Sequence, residues 1–175
     1  KRDLIREHAG RNIKWKNAAS PVIEGNNIYV AGGGPGQSLM AVDKNSGKVG
    51  WKTGDELMTH STPTLATIHG VRQVIFFTQK GLVSCDARKG TELWRFPFKC
   101  AVSTAISPIA AKDIVYCSAG YGVGSAAVKI RKTAAGMKAD ELWRIHGHKD
   151  VANHWSTPVY HDGHLYGMFS FKKYS

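Results

Sequence analysis

The sequence predicts an all-β chain built from repeated four-stranded antiparallel sheets, and three observations carry that reading. A turn-and-strand segment recurs: AVDKNSGKVGW (residues 41–51), SCDARKGTELW (84–94) and a looser copy ending in Asp140, Glu141, Leu142 and Trp143. A Ser/Thr-Pro strand opener recurs with it, at Pro21, Pro63, Pro108 and Pro158, spaced by 42, 45 and 50 residues. Short apolar runs separated by turn residues fill the interval between opener and tryptophan. A period of this size with several short strands per unit is the mark of sheets repeated about an axis, a β-propeller.

The first unit shows the elements in order. Pro21 opens an apolar run, and residues 24–27 (EGNN) form a turn cluster. Residues 28–30 (IYV) are strand formers. Residues 32–36 (GGGPG) make a longer loop, residues 38–42 a third strand, residues 45–47 a tight turn and residues 48–52 a fourth strand. The second and third units repeat this, with residues 74–77 (VIFF) and 114–117 (IVYC) as second strands. Such unbroken apolar runs predict strands covered on both faces, as in a blade held between two neighbours.

In the two clear copies Asp43, Gly47 and Trp51, then Asp86, Gly90 and Trp94, follow one another at steps of four. An Asp here can cap the turn by accepting backbone N–H bonds two residues on, and a Gly permits a positive φ. The Trp then falls on the outermost strand, where its ring can wedge against the next blade. Removing such a ring costs roughly 3–5 kcal/mol. Trp51, Trp94 and Trp143 are read as structural, not catalytic.

The run Ala41, Asp43, Ser46, Gly47, Lys48 and Trp51 resembles the tryptophan-docking motif of pyrroloquinoline-quinone-like (PQQ-like) propeller repeats. Ser84 and Lys89 depart from it in the second copy. The third lacks Asp and Gly at the expected places and has a hairpin lengthened by residues 131–138. The resemblance covers about residues 20–175. It implies seven or eight blades in the intact protein, so a chain starting at Lys1 and stopping at Ser175 inside a unit is read as a piece of one. The units are a lead-in at 1–19, blades at 20–60, 61–106 and 107–155, and the start of a fourth at 156–175. In the lead-in, residues 3–9 predict a short helix with Asp3 as cap and Gly10 as terminator. Trp15 is out of register with the docking tryptophans, on the approach to the first inner strand.

Composition narrows the function classes. No apolar stretch approaches the ~20 residues of a membrane-spanning helix. Cys85, Cys100 and Cys117 have no C-x-x-C spacing and read as buried thiols. The formal charge of +11 is spread over turns and hairpin tips, with a modest cluster at Lys129, Arg131, Lys132 and Lys138. No basic helical stripe or nucleic-acid module accompanies it, so a solvated basic surface is favoured and an anionic polymer or membrane surface stays open.

In a propeller the first strand of each blade lines the central channel, and ligands bind where those strands begin. The residues just before each opener are therefore the site candidates: Asn17, His60, Ser61, Ser103, Thr104, Asn153, His154 and Trp155. Polar groups beside an aromatic suit a planar or sugar-like ligand. The plainer reading is that they satisfy one another and ordered water. His146 and His148 would share a strand face, but no third ligand follows at a familiar spacing, and residues 161–164 (HDGH) read as a turn. No metal site is expected. The glycine-rich stretches 32–36 and 120–124 are expected to be hairpin loops, because a phosphate cradle needs a helix directly after it.

The resemblance supplies the functional expectations. Quinoprotein dehydrogenases of this class hold PQQ and calcium in the channel, use an Asp as base and often carry an adjacent Cys pair. This chain has no such pair and no matching set of calcium ligands, so no catalytic residue is carried over and no cofactor is evident. The favoured function is a noncatalytic binding or scaffolding module of an exported bacterial protein, periplasmic or extracellular, with a protein or polysaccharide partner. The alternative is part of a PQQ-dependent alcohol or sugar dehydrogenase, with PQQ and calcium, whose catalytic residues lie outside these blades.

Overall fold

Alternation along each strand sends successive side chains to opposite faces, and in the middle strands of the three four-stranded sheets both faces are largely covered. The computed structural model describes residues 2–147 and 152–169. It has one short helix, α1 (Leu4–Glu7), and strands β1 (Val22–Glu24), β2 (Asn27–Ala31), β3 (Leu39–Asp43), β4 (Val49–Thr53), β5 (Thr64–Ile68), β6 (Val71–Thr78) and β7 (Gly81–Asp86). There follow β8 (Glu92–Pro97), β9 (Ile109–Ala111), β10 (Ile114–Ala119), β11 (Gly124–Thr133), β12 (Gly136–Ile145), β13 (Val159–His161) and β14 (His164–Tyr166). Each run of four, β1–β4, β5–β8 and β9–β12, is an antiparallel meander with neighbours in chain order, and β13 pairs with β14. The fold is an all-β propeller segment.

The core lies between sheets. Tyr29, Leu39, Ala41 and Trp51 of the first sheet pack on Val74, Phe76, Val83 and Cys85 of the second. From the same strands of the second sheet, Ile75, Phe77 and Leu82 point the other way, with Trp94 and Phe96, to meet Val115, Cys117, Ala126, Val128 and Ile130 of the third. The run at residues 74–77 is unbroken because neighbouring residues serve different interfaces. All three thiols are buried. Burial pushes the Cys85 and Cys100 thiols up to about 12, and Cys117 is raised for the same reason.

The turn chemistry follows the side chains. Asp43 Oδ1 accepts the Asn45 and Ser46 N–H groups at 3.1 and 2.7 Å, and Asp86 Oδ1 accepts those of Arg88 and Lys89 at 2.9 and 2.8 Å. Gly47 and Gly90 take φ of 70° and 74°. The Trp51 ring lies over Gly90, where a Cβ would stand 2.5–2.7 Å from its carbons, and its Nε1 donates to the Ala87 carbonyl at 3.0 Å. Gly90 is thus held by two demands, a left-handed turn and room for an indole.

Trp94 is buried at the second interface without an equivalent turn to rest on. There β11 and β12 stay paired out to Thr133 and Gly136, so its Nε1 donates within its own sheet, to Gln73 Oε1 at 2.6 Å. The third sheet is nonetheless the same repeat. A bulge falls at Ala41/Val42, Ser84/Cys85 and Ala127/Val128, and the residue before it faces Trp51, Trp94 and Trp143 in turn. Trp143 is 39% exposed, set against Tyr116 at 6.1 Å between ring centroids.

Asp3 caps α1 by accepting from Ile5 and Arg6 at 3.1 and 3.2 Å, while Glu7, one turn on, accepts the Asp3 N–H at 3.1 Å. Gly10 is not the residue that ends the helix: Ala9 takes the left-handed position, with φ of 49°. The His8 carbonyl then receives the Gly34 N–H at 2.8 Å, which fastens the lead-in to the first glycine-rich loop. Both glycine-rich loops run into strands, β3 and β11. The basic cluster is largely offset by acids, with Lys129 on Asp113 and both Arg131 and Lys138 on Asp140.

Candidate functional site: an aromatic ledge over hydrogen-bonded channel segments

The segments that precede β5, β9 and β13 lie side by side. The His60 N–H donates to the Thr104 carbonyl at 3.0 Å, and the Ala105 N–H donates to the His154 carbonyl at 2.9 Å. The lead-in joins the same row, since His60 Nε2 donates to the Lys16 carbonyl at 2.9 Å. That bond leaves Nδ1 to accept the Ser103 hydroxyl at 2.7 Å. Thr104 Oγ1 donates to the Ser118 carbonyl at 2.9 Å, and Ser61 accepts no side chain of this row but donates its N–H to Thr59 Oγ1 at 3.1 Å. Asn153 Oδ1 accepts the Tyr116 hydroxyl at 2.9 Å, and its N–H donates to Ser118 Oγ at 2.7 Å.

Of the polar candidates, His60, Ser103, Thr104, Asn153 and His154 are therefore stitching groups. Ser61, Ser103, Thr104, Asn153 and His154 are buried. His154 Nδ1 accepts the Gly120 N–H at 3.0 Å. Burial, with His60 adding like-charge repulsion, lowers the His154 pKa to about 4, so its ring is neutral near pH 7. Asn17 stands apart, exposed, near the loop at Gly32.

What faces outward is aromatic. Trp15 is 55% exposed and Trp155 61%, with Tyr121 between them in the row of rings. Trp15 and Tyr121 stack at 6.4 Å with 25° between planes. His154 stands edge-on to Tyr121 at 5.0 Å and to Trp155 at 4.8 Å. The Lys14 ammonium lies 4.8 Å from the Trp15 ring centre.

Residues 9–167 match the model of the family described as outer membrane protein assembly factor BamB. The chain belongs to that family. Within it these are PQQ-like propeller repeats. Solved structures similar to the chain include a quinohemoprotein alcohol dehydrogenase from Comamonas testosteroni, at 23% identity and TM-score 0.49, covering 78% of this chain and 21% of that one. A europium-containing methanol dehydrogenase gives 18% identity and TM-score 0.48, covering 74% of this chain and 24% of that one. The chain thus spans less than a quarter of either, and likeness at this level carries no functional argument. Among curated proteins none matches.

A calcium-held quinone would need a different donor set. Calcium takes oxygen ligands, carboxylates foremost. Among the described residues no three His, Cys, Asp or Glu side chains stand together in a way that could hold a metal. The row through His60, Ser103, Thr104, Asn153 and His154 offers hydroxyls, imidazoles and an amide already hydrogen-bonded, and this set does not fit such a group. His146 is exposed, and His148 lies outside the described residues. His161 and His164 flank the turn between β13 and β14, where Asp162 and Gly163 have φ of 44° and 81°.

Two ledge residues escaped the sequence reading. Trp15 carried a signal, since it did not fit the docking register. Tyr121 carried a subtler one: it precedes Gly122 at a hairpin tip that needs positive φ, where Asn or Gly is the usual choice.

Proposed function

We propose that this propeller segment is a noncatalytic binding or scaffolding module of an exported bacterial protein, acting through the mouth of its channel. One observation carries the reading. The polar side chains at the mouth are spent on joining adjacent blades, while the exposed groups are rings suited to contact. The family description names an outer membrane assembly factor, which favours a periplasmic setting and an assembly role. No helix among the described residues is long and apolar enough to cross a membrane.

The test is reconstitution. The purified chain is incubated with PQQ and calcium and assayed for dye reduction with primary alcohols and aldoses. A binding module leaves the dye oxidised, and turnover that depends on both additions would replace this reading with the dehydrogenase one. Cell fractionation of the full-length parent protein tests export.

A further inference from the structure

Seven non-glycine residues among those described have positive φ. His69, Lys112 and Asp162 sit at the tips of two-residue hairpins, where that geometry is routine. The aromatic members of the set are Trp15, at 64°, and Tyr121, at 55°, and they are the pair that stack on each other. Lys16, at 69°, follows Trp15 and gives its carbonyl to His60. Bulky side chains in this region strain the backbone, and such strain gathers at ligand clamps. Here it turns two large rings outward into one row.

We propose that Trp15, Tyr121 and Trp155, with the buried His154 ring bracing the latter two edge-on, form a platform for the pyranose rings of an acidic polysaccharide, with Lys14 and Lys16 meeting its carboxylates. The assignment rests on the binding reading above. A sugar ring has apolar C–H faces that lie on indole and phenol rings, and rigid aromatic contacts lose little conformational freedom on binding. The ledge is a succession of tilted facets: Trp15 and Tyr121 meet at 25°, and the buried His154 ring, at 86° to Tyr121 and 79° to Trp155, stands between the planes of those two. Facets in series suit a chain of puckered rings better than one flat slab. Exposed Lys14 lies over the Trp15 ring and exposed Lys16 follows Trp15 in the chain, and the formal charge of +11 draws a polyanion from a distance.

The experiment titrates the intact chain with oligogalacturonate, with its methyl ester and with polyglutamate, following tryptophan fluorescence and heat. Oligogalacturonate is expected to bind, the ester more weakly and with less salt dependence, and polyglutamate weakest. Trp155→Ala and Trp15→Ala should each weaken binding about ten-fold, and Lys14→Ala should flatten the salt dependence. Trp155, the more exposed, gives the cleaner variant, and an unchanged melting curve certifies its fold. Polyglutamate binding as tightly as the uronate overturns the proposal, as does wild-type affinity in both tryptophan variants. Failure of the uronate to bind also overturns it. With PQQ and calcium also producing no turnover, that failure removes the sugar assignment and leaves the noncatalytic reading standing, whereas turnover removes the latter.

Discussion

Gly90→Ala isolates the contact that joins the first two blades. Gly90 has φ of 74°, and an added Cβ would meet Trp51 ring carbons at 2.5–2.7 Å. Gly70 has nearly the same backbone, φ of 77°, with nothing within 4 Å of the Cβ position. The left-handed conformation costs an alanine about 1–2 kcal/mol at either position. Overpacking against a buried ring adds about 1–3 kcal/mol at Gly90 alone. Gly90→Ala is therefore expected to lose about 2–5 kcal/mol against about 1–2 kcal/mol for Gly70→Ala. Urea denaturation with unchanged slope measures both. In a double-mutant cycle, Trp51→Ala should recover the overpacking part, since the ring that clashes is gone. Equal losses at the two glycines, or strict additivity with Trp51→Ala, would refute the argument.

Three further outcomes follow from buried groups. Gln73→Leu leaves the Trp94 indole N–H and the Ser84 hydroxyl, 2.6 and 2.7 Å from Gln73 Oε1, without their acceptor; at about 1–3 kcal/mol per orphaned group, urea melts should show a loss of about 2–6 kcal/mol. His154 binds its proton near pH 4 in the fold against 6.5 unfolded, mainly through burial. Its contribution is intact above pH 6.5 and is lost as pH falls toward 4, on the order of 3 kcal/mol in all; His154→Gln should abolish that part of the slope, and an NMR titration midpoint near 6.5 would contradict it. Cys85, Cys100 and Cys117, buried and raised in pKa, should resist an aromatic disulfide reagent at pH 8 and react together in guanidinium. A rapidly titrating thiol in the native protein would show that an interface opens.

Much of the fold was legible because its signals are local. Asp43 and Asp86 bond N–H groups two and three residues away, Gly47 and Gly90 answer a single turn, and strands reveal themselves by apolar runs. The third unit was harder, because its turn residues are replaced by an extended ladder. Its kinship shows in a bulge at the same place in three sheets, a property of pairing rather than of composition. The site candidates were chosen by topology, from their places ahead of each opener. The structure lays those segments side by side, yet position ahead of an opener could not tell joining groups from exposed ones. Sequence position carries no record of which side chain a neighbouring blade consumes.

Residue order alone determined the repeat, the four-strand unit and the turn that Gly90 must make, since each depends on contacts within a few dozen residues. Folding in three dimensions decided that the His69 ring reaches the Ile130 carbonyl 61 positions away and that Trp15 reaches Tyr121 across 106. The physical reason is distance along the backbone. Hydrogen bonds inside a turn are dictated by neighbours, whereas burial and ring contacts between blades exist only once separate sheets have packed.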